Sequence, residues 1–571
     1  MKRIAAIFSL TIALLVSAHA QVALVSHAPA IPPAQSILAH HGMVVAQESR
    51  AARIGVEILD RGGNAVDAAV AVGFAMAVTY PRAGNIGGGG FMVIHLAKEN
   101  RNTTIDYRET APAAATKTMF LDAAGNPDPK KSRDSGLAVG VPGTVAGLAM
   151  ALAKYGSGKF SLADLIAPAI GLAENGFPVE DDLADSLPDS QKRLARWPST
   201  TSIFFLGDKP LHEGDRLLQF DLADTLRAIA EGGPRAFYEG RIAERIAQAV
   251  RDAGGIMTAD DLKNYRAIER APVEGSYRGT TIVSMPPPSS GGLCLIEMLN
   301  ILEGYDLAKL PRAEALHDMI EAMKRAYADR AVYMGDPAEV KIPVAGLISK
   351  KYAASLRAQI GARATPAADV RAGEPAQAEG RNTTHFSVID NDGNAVSNTY
   401  TLNFSYGLGL VAEDTGVMLN NELDDFTAKP GTANAYGLVG FNANLPGPGK
   451  RPLSSMTPTI VLKGGKPFLV TGSPGGSRII TAVLQVITNV IDFHMPVAQA
   501  VSAPRLHNQW LPDRTLAEPG FAPAVLDALK ARGHNIVPTG PHTSANSIEI
   551  TRDGYVGAAD RRTRGSLAAG Y

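Results

Sequence analysis

The stretch HFSVIDNDGNAVSNTYTL, residues 385–402, constrains the fold most strongly. Apolar and polar residues alternate on both sides of Asp392-Gly393. An Asp-Gly pair between two alternating runs is the strongest local signal of a β-hairpin. With these two residues at the centre of the turn, Asn391 faces Asn394. The sequence therefore predicts two antiparallel strands here, joined by a tight turn.

The register of this hairpin places polar side chains beside Thr383. Continued to the start of the first strand, it sets Thr383 opposite Leu402, which Thr401 and Asn403 flank. Directly paired and diagonal neighbours on adjacent strands lie within side-chain reach of each other. A second hydroxyl and an amide are therefore expected near Thr383, even with a register shifted by one or two residues.

Two copies of Arg-Asn-Thr-Thr stand in different surroundings. Residues 101–104 lie among charged residues and are expected in the turn that leads into the strand TTIDYRET. Residues 381–384 follow the segment ATPAADVRAGEPAQAEG (364–380), which has hardly any large apolar residue and is expected to be an exposed, mobile tether. A break between Asn382 and Thr383 would leave Thr383 anchored in a strand and let the tether move away.

The chemistry of a threonine favours the second copy as a reactive site. A threonine hydroxyl is a weak nucleophile and needs an adjacent base. A break before Thr383 would give it a free α-amine, which titrates at about 7.7–8.0 and is partly neutral near pH 7. The amine would lie within reach of the hydroxyl of the same residue, so Thr383 would supply both nucleophile and base.

The composition excludes several functional classes. The chain has 571 residues, a formal net charge of −1 and a pI of about 6.9, which gives no electrostatic footprint for nucleic acid or an anionic membrane. Its single cysteine, Cys294, excludes an intramolecular disulfide and is expected to be a buried thiol in a helix. Because P-loop, G-x-G-x-x-G, G-x-S-x-G and H-E-x-x-H motifs are absent from the sequence, no cofactor or metal is expected.

The first twenty residues have the pattern of a secretory signal peptide. Lys2 and Arg3 precede an apolar run over residues 4–16 and an Ala-x-Ala sequence at 18–20. This run is shorter than a membrane-spanning helix requires, and cleavage is expected before Gln21. The mature chain is expected to have no membrane span and to lie in the periplasm, with secretion beyond it as the alternative.

Further patterns predict helices and a strand around the hairpin. Residues 48–81 indicate two helices broken at Gly62-Gly63, and the second is apolar nearly all round, which favours complete burial. The glycine run GNIGGGG leads into a strand, and residues 162–330 have mostly helical patterns.

Three motifs after the hairpin offer polar groups for a site. NNELDDFT holds Glu422, Asp424 and Asp425, a pattern that taken alone favours a helix-capping acidic turn. RPLSSMTPT offers the adjacent hydroxyls of Ser454 and Ser455, or simply a loop. TGSPGGSRII sets glycines before an apolar helix, where backbone N–H groups can face an oxyanion or only form a tight turn.

These segments have a family resemblance. NTTHFSVID, NTYTLNFSYGLG, NNELDDFTAKPG, KRPLSSMTPTIV and TGSPGGSRIITAVLQVI resemble the small subunit of the γ-glutamyltransferase (γ-glutamyltranspeptidase) family. GGNAVDAAVAV, GNIGGGGFM, DYRETAP, MPPPSSGG and GDPAEVKIPVAGL resemble its large subunit, so the similarity covers essentially the whole mature chain. The resemblance implies the α+β fold of N-terminal-nucleophile hydrolases, four αββα layers with two stacked, mainly antiparallel sheets between helices.

The resemblance also implies a precursor that cleaves itself between Asn382 and Thr383. Residues 1–20 would be the signal peptide, 21–382 the large subunit and 383–571 the small subunit, and the two subunits would form one intertwined heterodimer. Thr383 would take the γ-glutamyl group of glutathione or another γ-glutamyl amide as an ester. The group would then pass to water, an amino acid or a dipeptide.

The resemblance assigns roles to particular residues. Charges of opposite sign would hold the two ends of the zwitterionic glutamyl head, and a guanidinium suits the carboxylate end. The implied catalytic residues are Thr383, Thr401, which hydrogen-bonds it, and Gly475 and Gly476 as the oxyanion hole. The implied binding residues are Arg108, Ser454 and Ser455 for the α-carboxylate, and Asn403, Glu422 and Asp425 for the α-ammonium.

The segment AKPGTANAYGLVGFNANLPGPGKRP resembles the lid loop of the family, with Tyr436 as its gating aromatic. Members that lack the lid include acylases acting on glutaryl or cephalosporin substrates, so the lid favours glutamyl substrates. An acylase on the same scaffold is the first alternative. The others are an exported binding protein that is never processed, and a serine hydrolase using Ser473.

Overall fold

Two seven-stranded sheets organise the chain. The structure is a computed structural model, and it describes residues 31–373, 384–541 and 543–571. Numbered in chain order, the strands of the two sheets are β1 Gln35–Ala39, β2 Met43–Ala46, β3 Gly89–Leu96, β4 Arg101–Tyr107, β5 Ile268–Arg270, β6 Val273–Tyr277, β7 Thr280–Ser284, β8 Thr384–Ile389, β9 Ala395–Thr401, β10 Thr459–Lys463, β11 Lys466–Thr471, β12 Ser547–Thr551, β13 Gly554–Ala559 and β14 Leu567–Gly570.

Strands from both sides of residue 383 meet in each sheet. The first sheet has the order β1-β13-β12-β11-β10-β7-β6, and the second has the order β14-β2-β8-β9-β3-β4-β5. All these neighbouring strands run antiparallel. In the second sheet β8 and β9 lie between β2 and β3, so the hairpin that follows residue 383 occupies the centre of that sheet.

The helices form the outer layers. Successive side chains of a strand point to opposite faces, so each strand can contact the other sheet on one face and the helices on the other. Along β3, Phe91 and Val93 belong to the core between the sheets, while Met92 and Ile94 belong to the core beneath the helices. Both faces of the strand are therefore apolar and buried, as strands covered on both sides require. The predicted four-layer αββα arrangement is confirmed.

The helices have the following bounds. In chain order they are α1 Ser49–Asp60, α2 Ala65–Thr79, α3 Pro129–Arg133, α4 Thr144–Tyr155, α5 Leu162–Asn175, α6 Asp181–Leu194, α7 Pro198–Phe204, α8 Phe220–Gly232, α9 Arg235–Tyr238, α10 Arg241–Asp252, α11 Ala259–Asn264, α12 Gly291–Leu302, α13 Arg312–Tyr333, α14 Val344–Leu347, α15 Lys350–Arg357, α16 Ile479–Ile491, α17 Val497–Ser502 and α18 Pro523–Ala531. Within the described residues, no helix has the length and apolar character that a membrane crossing would need.

Two local predictions about helices are confirmed. Helices α1 and α2 are separated at Gly62-Gly63, and every residue of α2 is buried. Asn64 and Asp67 form a capping box that fixes the start of α2. Cys294 is buried within α12.

The hairpin of β8 and β9 is confirmed, with its register shifted by one residue. Thr384 pairs with Tyr400, and Asp390 takes the place opposite Asn394 that was expected for Asn391. The carboxylate of Asp390 accepts hydrogen bonds from the backbone N–H groups of Asp392 and Asn394, which closes a three-residue turn. Asn382 and Thr383 lie outside the described residues.

The first Arg-Asn-Thr-Thr copy was wrongly expected in a turn. Residues 101–104 begin strand β4, where Arg101 pairs with Leu96, and the turn occupies residues 97–100. The hydroxyl of Thr103 donates to Glu269, and that of Thr104 donates to the carbonyl of Arg270. Residues 101–104 join the sheet by pairing with residues 93–96 of β3, and β5 supplies the acceptors for the two hydroxyls.

The first part of the expected tether, residues 364–373, is packed against the protein. The N–H of Ala367 donates to Asp513, and its carbonyl accepts from the indole N–H of Trp510. At the end of this part, the N–H of Gly373 donates to Asp329 over 2.7 Å, and its carbonyl accepts from the Tyr333 hydroxyl. The prediction of a mobile tether is therefore wrong for residues 364–373, while residues 374–380 lie outside the described residues.

We expect Gly373→Ala to destabilise this anchored segment. A Cβ at position 373 would lie 1.9 Å from the Tyr352 hydroxyl oxygen, so packing must shift at a cost of about 1–3 kcal/mol. Gly361→Ala is the matched control, because a Cβ there meets nothing within 4 Å. Amide hydrogen exchange should accelerate at residues 364–373 in the first variant and not in the second; equal exchange in both would contradict the packing argument.

Candidate active site

A polar cavity of about 870 Å³ opens at the end of the hairpin. Five of the residues predicted for the site line it: Thr401, Asn403, Tyr436, Gly475 and Gly476. Thr384, the residue that follows Thr383 in the chain, lines the same cavity. The structure thus brings together groups from the hairpin, the predicted lid segment and the glycine turn.

Thr401 and Asn403 are held rigidly at the end of β9. The Thr401 hydroxyl accepts the backbone N–H of Asn403 over 2.8 Å, and its carbonyl accepts from Asn85 Nδ2 over 2.8 Å. The side chain of Asn403 donates to the carbonyl of Asn421. Asn403 has a φ of 74°, a left-handed conformation that asparagine tolerates better than most residues. These bonds fix one hydroxyl and one amide beside the end of the strand.

The predicted lid segment lies against the cavity through Tyr436. Its hydroxyl donates to Asn403 Oδ1 over 2.9 Å, and its ring meets Phe404 edge-on at a centroid distance of 5.6 Å. The carbonyl of Tyr436 accepts from Gln509 Nε2. The segment is thus tied to the cavity on two sides while most of it remains outside regular structure.

The glycine turn presents backbone donors to the cavity. Gly475 and Gly476 have φ values of 129° and 69°, a backbone region that L-residues with a Cβ rarely adopt. A 3-10 turn, Gly476–Arg478, follows and leads directly into α16. Within the described residues neither glycine N–H donates a hydrogen bond. Such N–H groups at the start of a helix suit a developing negative charge.

The predicted binding residue Arg108 lies directly after β4 and is fully buried. Its Nη1 lies 2.5 Å from Glu422 Oε1 and its Nη2 lies 2.7 Å from Asp425 Oδ2. Nε and Nη2 also donate to the carbonyls of Pro452 and Leu453. The predicted anion-binding group and the predicted ammonium-binding groups are therefore paired with each other in this structure, and none of the three lines the cavity.

The acidic motif forms a 3-10 turn, Glu422–Asp425, rather than a helix cap. Asp424 faces away from Arg108 and accepts from Ser132 and Arg133. Ser454 is buried beside the Arg108 acceptors; its hydroxyl accepts the Met456 N–H, and its carbonyl accepts the Ser290 N–H. Ser455 is buried next to it.

The charges around Arg108 are unbalanced. Besides Glu422 and Asp425, Glu109 Oε2 lies 3.7 Å from Arg108 Nη1, so three buried carboxyl groups surround one guanidinium. Burial raises the pKa of Glu422 and Arg108 opposes that shift. Burial also raises the pKa of Glu109 to about 7, again against the attraction of Arg108. Neither oxygen of Glu109 has a hydrogen-bond partner in the described part of the chain.

We expect the buried Glu109 to weaken the fold as pH rises. Its folded pKa of about 7 exceeds the ordinary 4.5, so between these values the unfolded chain binds fewer protons and stability falls with rising pH. The loss is absent below about pH 4.5 and complete above about pH 7. Glu109→Gln should therefore raise the free energy of unfolding at pH 8 by about 1–3 kcal/mol and change it little at pH 4. Chemical unfolding at both pH values measures this, with the exposed Glu231→Gln as control; a pH-independent difference would refute it.

Several cavity residues escaped the sequence interpretation. Gln47 lines the cavity and accepts from the Thr384 hydroxyl, but it stands in no motif that indicates chemistry. Asn85, outside the cavity lining, holds the Thr401 carbonyl and belongs to the GNIGGGG run, which was given no such role. Arg478 and Arg514 also line the cavity. Arg478 stands two residues after Gly476 in TGSPGGSRII, and a basic residue that close to a predicted oxyanion turn indicates a position near the site. The Ser473 hydroxyl, proposed as an alternative nucleophile, donates to the Pro474 carbonyl.

Comparison with known proteins gives consistent matches over most of the chain. The family model "Gamma-glutamyltranspeptidase" matches residues 51–570. The chain is 52% identical over 540 residues to a glutathione hydrolase proenzyme of Escherichia coli (strain K12), covering 94% of this chain and 93% of that protein. It is 40% identical over 542 residues to the acylase ACY 1 proenzyme of Pseudomonas sp. (strain SE83), covering 92% and 93%.

Solved structures agree with these matches. The crystal structure of a cephalosporin acylase from Bacillus halodurans superposes with a TM-score of 0.84 at 28% identity, covering 95% of this chain and 98% of that chain. The crystal structure of Helicobacter pylori gamma-glutamyltranspeptidase superposes with a TM-score of 0.55 at 48% identity, covering 57% and 93%.

Proposed function

The chain belongs to the gamma-glutamyltranspeptidase family, and from this premise we propose a self-cleaving γ-glutamyltransferase and glutathione hydrolase. It takes the γ-glutamyl group from glutathione and other γ-glutamyl amides and passes it to water, an amino acid or a dipeptide. The observation that carries the proposal is the shared cavity of Thr384 and the Gly475-Gly476 turn. Thr384 directly follows Thr383 in the chain, which supports Thr383 as the nucleophile and the N–H groups of Gly475 and Gly476 as the oxyanion donors.

Maturation would use the same hydroxyl as catalysis, before the α-amine exists. The Thr383 hydroxyl attacks the carbonyl carbon of Asn382, the C–N bond breaks, and the released nitrogen takes up the hydroxyl proton as the α-amine forms. Water then hydrolyses the ester, which leaves a carboxylate on Asn382 and a free hydroxyl and α-amine on Thr383. The chain is thereby divided into residues 21–382 and 383–571, which stay together because strands from both parts pair with each other in each sheet.

Transfer would follow as acyl chemistry on Thr383. The α-amine accepts the hydroxyl proton while the oxygen attacks the γ-carbonyl of the substrate, and the negative charge develops against the N–H groups of Gly475 and Gly476. The C–N bond breaks, and the leaving amine receives the proton. Water or the amine of an acceptor then attacks the ester, the C–O bond to Thr383 breaks, and the hydroxyl is restored.

Binding of the glutamyl head would exchange ion-pair partners. The α-carboxylate of the substrate would take the Nη donors of Arg108 that Glu422 and Asp425 occupy in this structure. The released carboxylates would then accept the α-ammonium, so no buried charge is left without a partner. This exchange also gives the acidic groups around Arg108 a use, because they remain as acceptors for the α-ammonium once the α-carboxylate has taken the guanidinium donors.

Processing and location complete the proposal. The relatives named proenzymes support a precursor processed into subunits and acting on small molecules. We place the mature enzyme in the periplasm because of the signal-peptide pattern in residues 1–20, which lie outside the described residues.

A glutaryl or cephalosporin acylase is the second candidate, favoured by the TM-score of 0.84 to a cephalosporin acylase. The two candidates differ at the α-ammonium, which a glutaryl group lacks. Buried carboxylates at 422 and 425 without an ammonium to accept would disfavour a glutaryl substrate. An unprocessed binding protein predicts an intact chain with no turnover.

The test is release of chromophore from a γ-glutamyl anilide by the purified protein, with and without a dipeptide acceptor, beside a glutaryl anilide. Release from the γ-glutamyl anilide that rises with acceptor supports transfer, and release that ignores the acceptor supports a hydrolase. Release from the glutaryl anilide alone would replace the proposal with an acylase. The absence of any release would refute both enzymes.

A further inference from the structure

Two arginines of the cavity have no role in the mechanism above. Arg478 is half-buried and Arg514 is exposed, and both line the cavity. Over the described ranges, neither guanidinium makes a hydrogen bond or an ion pair. Most half-buried guanidinium groups in proteins donate to an acceptor, so the half-buried Arg478 is expected to bind an acceptor from a ligand.

The other two arginines that line the cavity are ion-paired. Arg82 contacts both carboxylate oxygens of Asp182 at 2.6 and 2.8 Å. Arg562 is paired with Glu518 at 2.8 Å and with Asp560 at 3.1 Å. The cavity is therefore lined by two arginines in ion pairs, Arg82 and Arg562, and by two whose guanidinium donors are available, Arg478 and Arg514.

Electrostatics add a second observation. Burial lowers the pKa of Arg478, Glu518 opposes this shift, and the charge of Arg514 adds to it. The two guanidinium groups therefore repel each other. Glu518, whose carboxylate attracts Arg478, is already ion-paired with Arg562. Like charges held together without a counter-ion are unfavourable, and an anion between them removes the repulsion.

Arg478 and the proposed oxyanion site belong to the same wall of the cavity. Arg478 ends the 3-10 turn that begins at Gly476, and both residues line the cavity. Two extended residues span at most about 7 Å. The terminal carboxylate of a short peptide is therefore the class of anion that we consider for this part of the cavity.

We propose that Arg478 and Arg514 form a subsite for the C-terminal carboxylate of a dipeptide. The dipeptide is either the cysteinylglycine part of glutathione, as leaving group, or the acceptor that replaces it. This assignment rests on the proposed transferase function and extends it to two cavity arginines that the mechanism leaves without a role. Guanidinium groups suit the task because a planar fork binds a carboxylate through two parallel hydrogen bonds.

The experiment compares two acceptors that differ only at the carboxylate. Glycylglycine and glycylglycinamide are supplied with a γ-glutamyl anilide as donor, and kcat/KM for each acceptor gives a preference ratio. In the native protein glycylglycine should be preferred by about tenfold or more, as for a charge-assisted hydrogen bond. Arg478→Gln and Arg514→Gln should each reduce the ratio, and the double variant should bring it close to one.

Two further variants keep the result interpretable. Arg514→Glu should reverse the preference toward the amide, and because residue 514 is exposed this change should leave the fold intact. Arg53→Gln alters an exposed arginine on α1 that does not line the cavity, and it should retain the native ratio.

The outcomes separate the subsite from the function. A native ratio near one, or a ratio unchanged in both single variants, would overturn the subsite while the transferase stands. Failure of the native protein to release chromophore from the donor would overturn the transferase and the subsite with it. A ratio that falls in the Arg478 and Arg514 variants and persists in Arg53→Gln supports the proposal.

Discussion

Thr383→Ala is expected to yield an uncut precursor without measurable transferase activity. The methyl group of alanine cannot attack the Asn382 carbonyl, so neither the α-amine nor the ester intermediate can form. Loss of a covalent nucleophile removes a factor of about 10⁶ from the rate in enzymes where it has been separated from other terms. Thr383→Ser, which keeps a hydroxyl, should be cut and active at a reduced rate.

The first Arg-Asn-Thr-Thr copy provides the matched control. Thr103 occupies the position in residues 101–104 that Thr383 occupies in residues 381–384. Its hydroxyl donates to Glu269 over 2.9 Å, so Thr103→Ala should lower stability by about 1 kcal/mol and leave cutting and activity intact. The fragment masses and the N-terminal sequence of the small fragment give the readout. Cutting or transfer in Thr383→Ala would sink the nucleophile assignment and restore Ser473 as a candidate.

The elements read correctly from the sequence are those with local signals. The hairpin follows from alternation around Asp392-Gly393, and the burial of α2 follows from an apolar surface on all sides. The observed register differs from the predicted one by one residue because the Asp390 side chain closes the turn. The alternating pattern does not indicate which of the adjacent polar residues, Asp390 or Asn391, does so. The alternating pattern thus predicts the two strands, but it does not predict their register when a side-chain hydrogen bond determines the turn.

The features that escaped depend on partners far along the chain. The hydroxyls of Thr103 and Thr104 find their acceptors on β5, and residues 364–373 are fixed by Asp329, Asp513 and Trp510. Likewise, the family resemblance predicts Arg108 and Asp425 as binding residues. It does not predict the hydrogen bond between them, which joins residues 317 positions apart in the chain. Such contacts are properties of the packed fold and leave no periodic signal.

That buried pairing makes Arg108→Lys the second variant with a large expected effect. An ammonium has three donors on one atom and cannot reproduce the two-sided fork that reaches Glu422, Asp425 and the carbonyls of Pro452 and Leu453. The α-carboxylate of a substrate would likewise lose its bidentate contact. We expect KM for a γ-glutamyl anilide to rise about 10–100-fold, with a smaller fall in kcat.

Stability and substrate binding must be measured separately in Arg108→Lys. The carboxylates of Glu422 and Asp425 stay buried there with a poorer cationic partner, which lowers stability as well as affinity. Breaking a buried ion pair destabilises by about 3–5 kcal/mol, and Arg108→Lys should show part of this loss in chemical unfolding. Adding Glu422→Gln removes one of the carboxylates, so the double variant should regain stability. It should not regain a low KM, since the planar fork for the α-carboxylate is still missing. If KM stays unchanged in Arg108→Lys, or returns to normal in the double variant, the ion-pair exchange is wrong and Arg108 is a structural residue only.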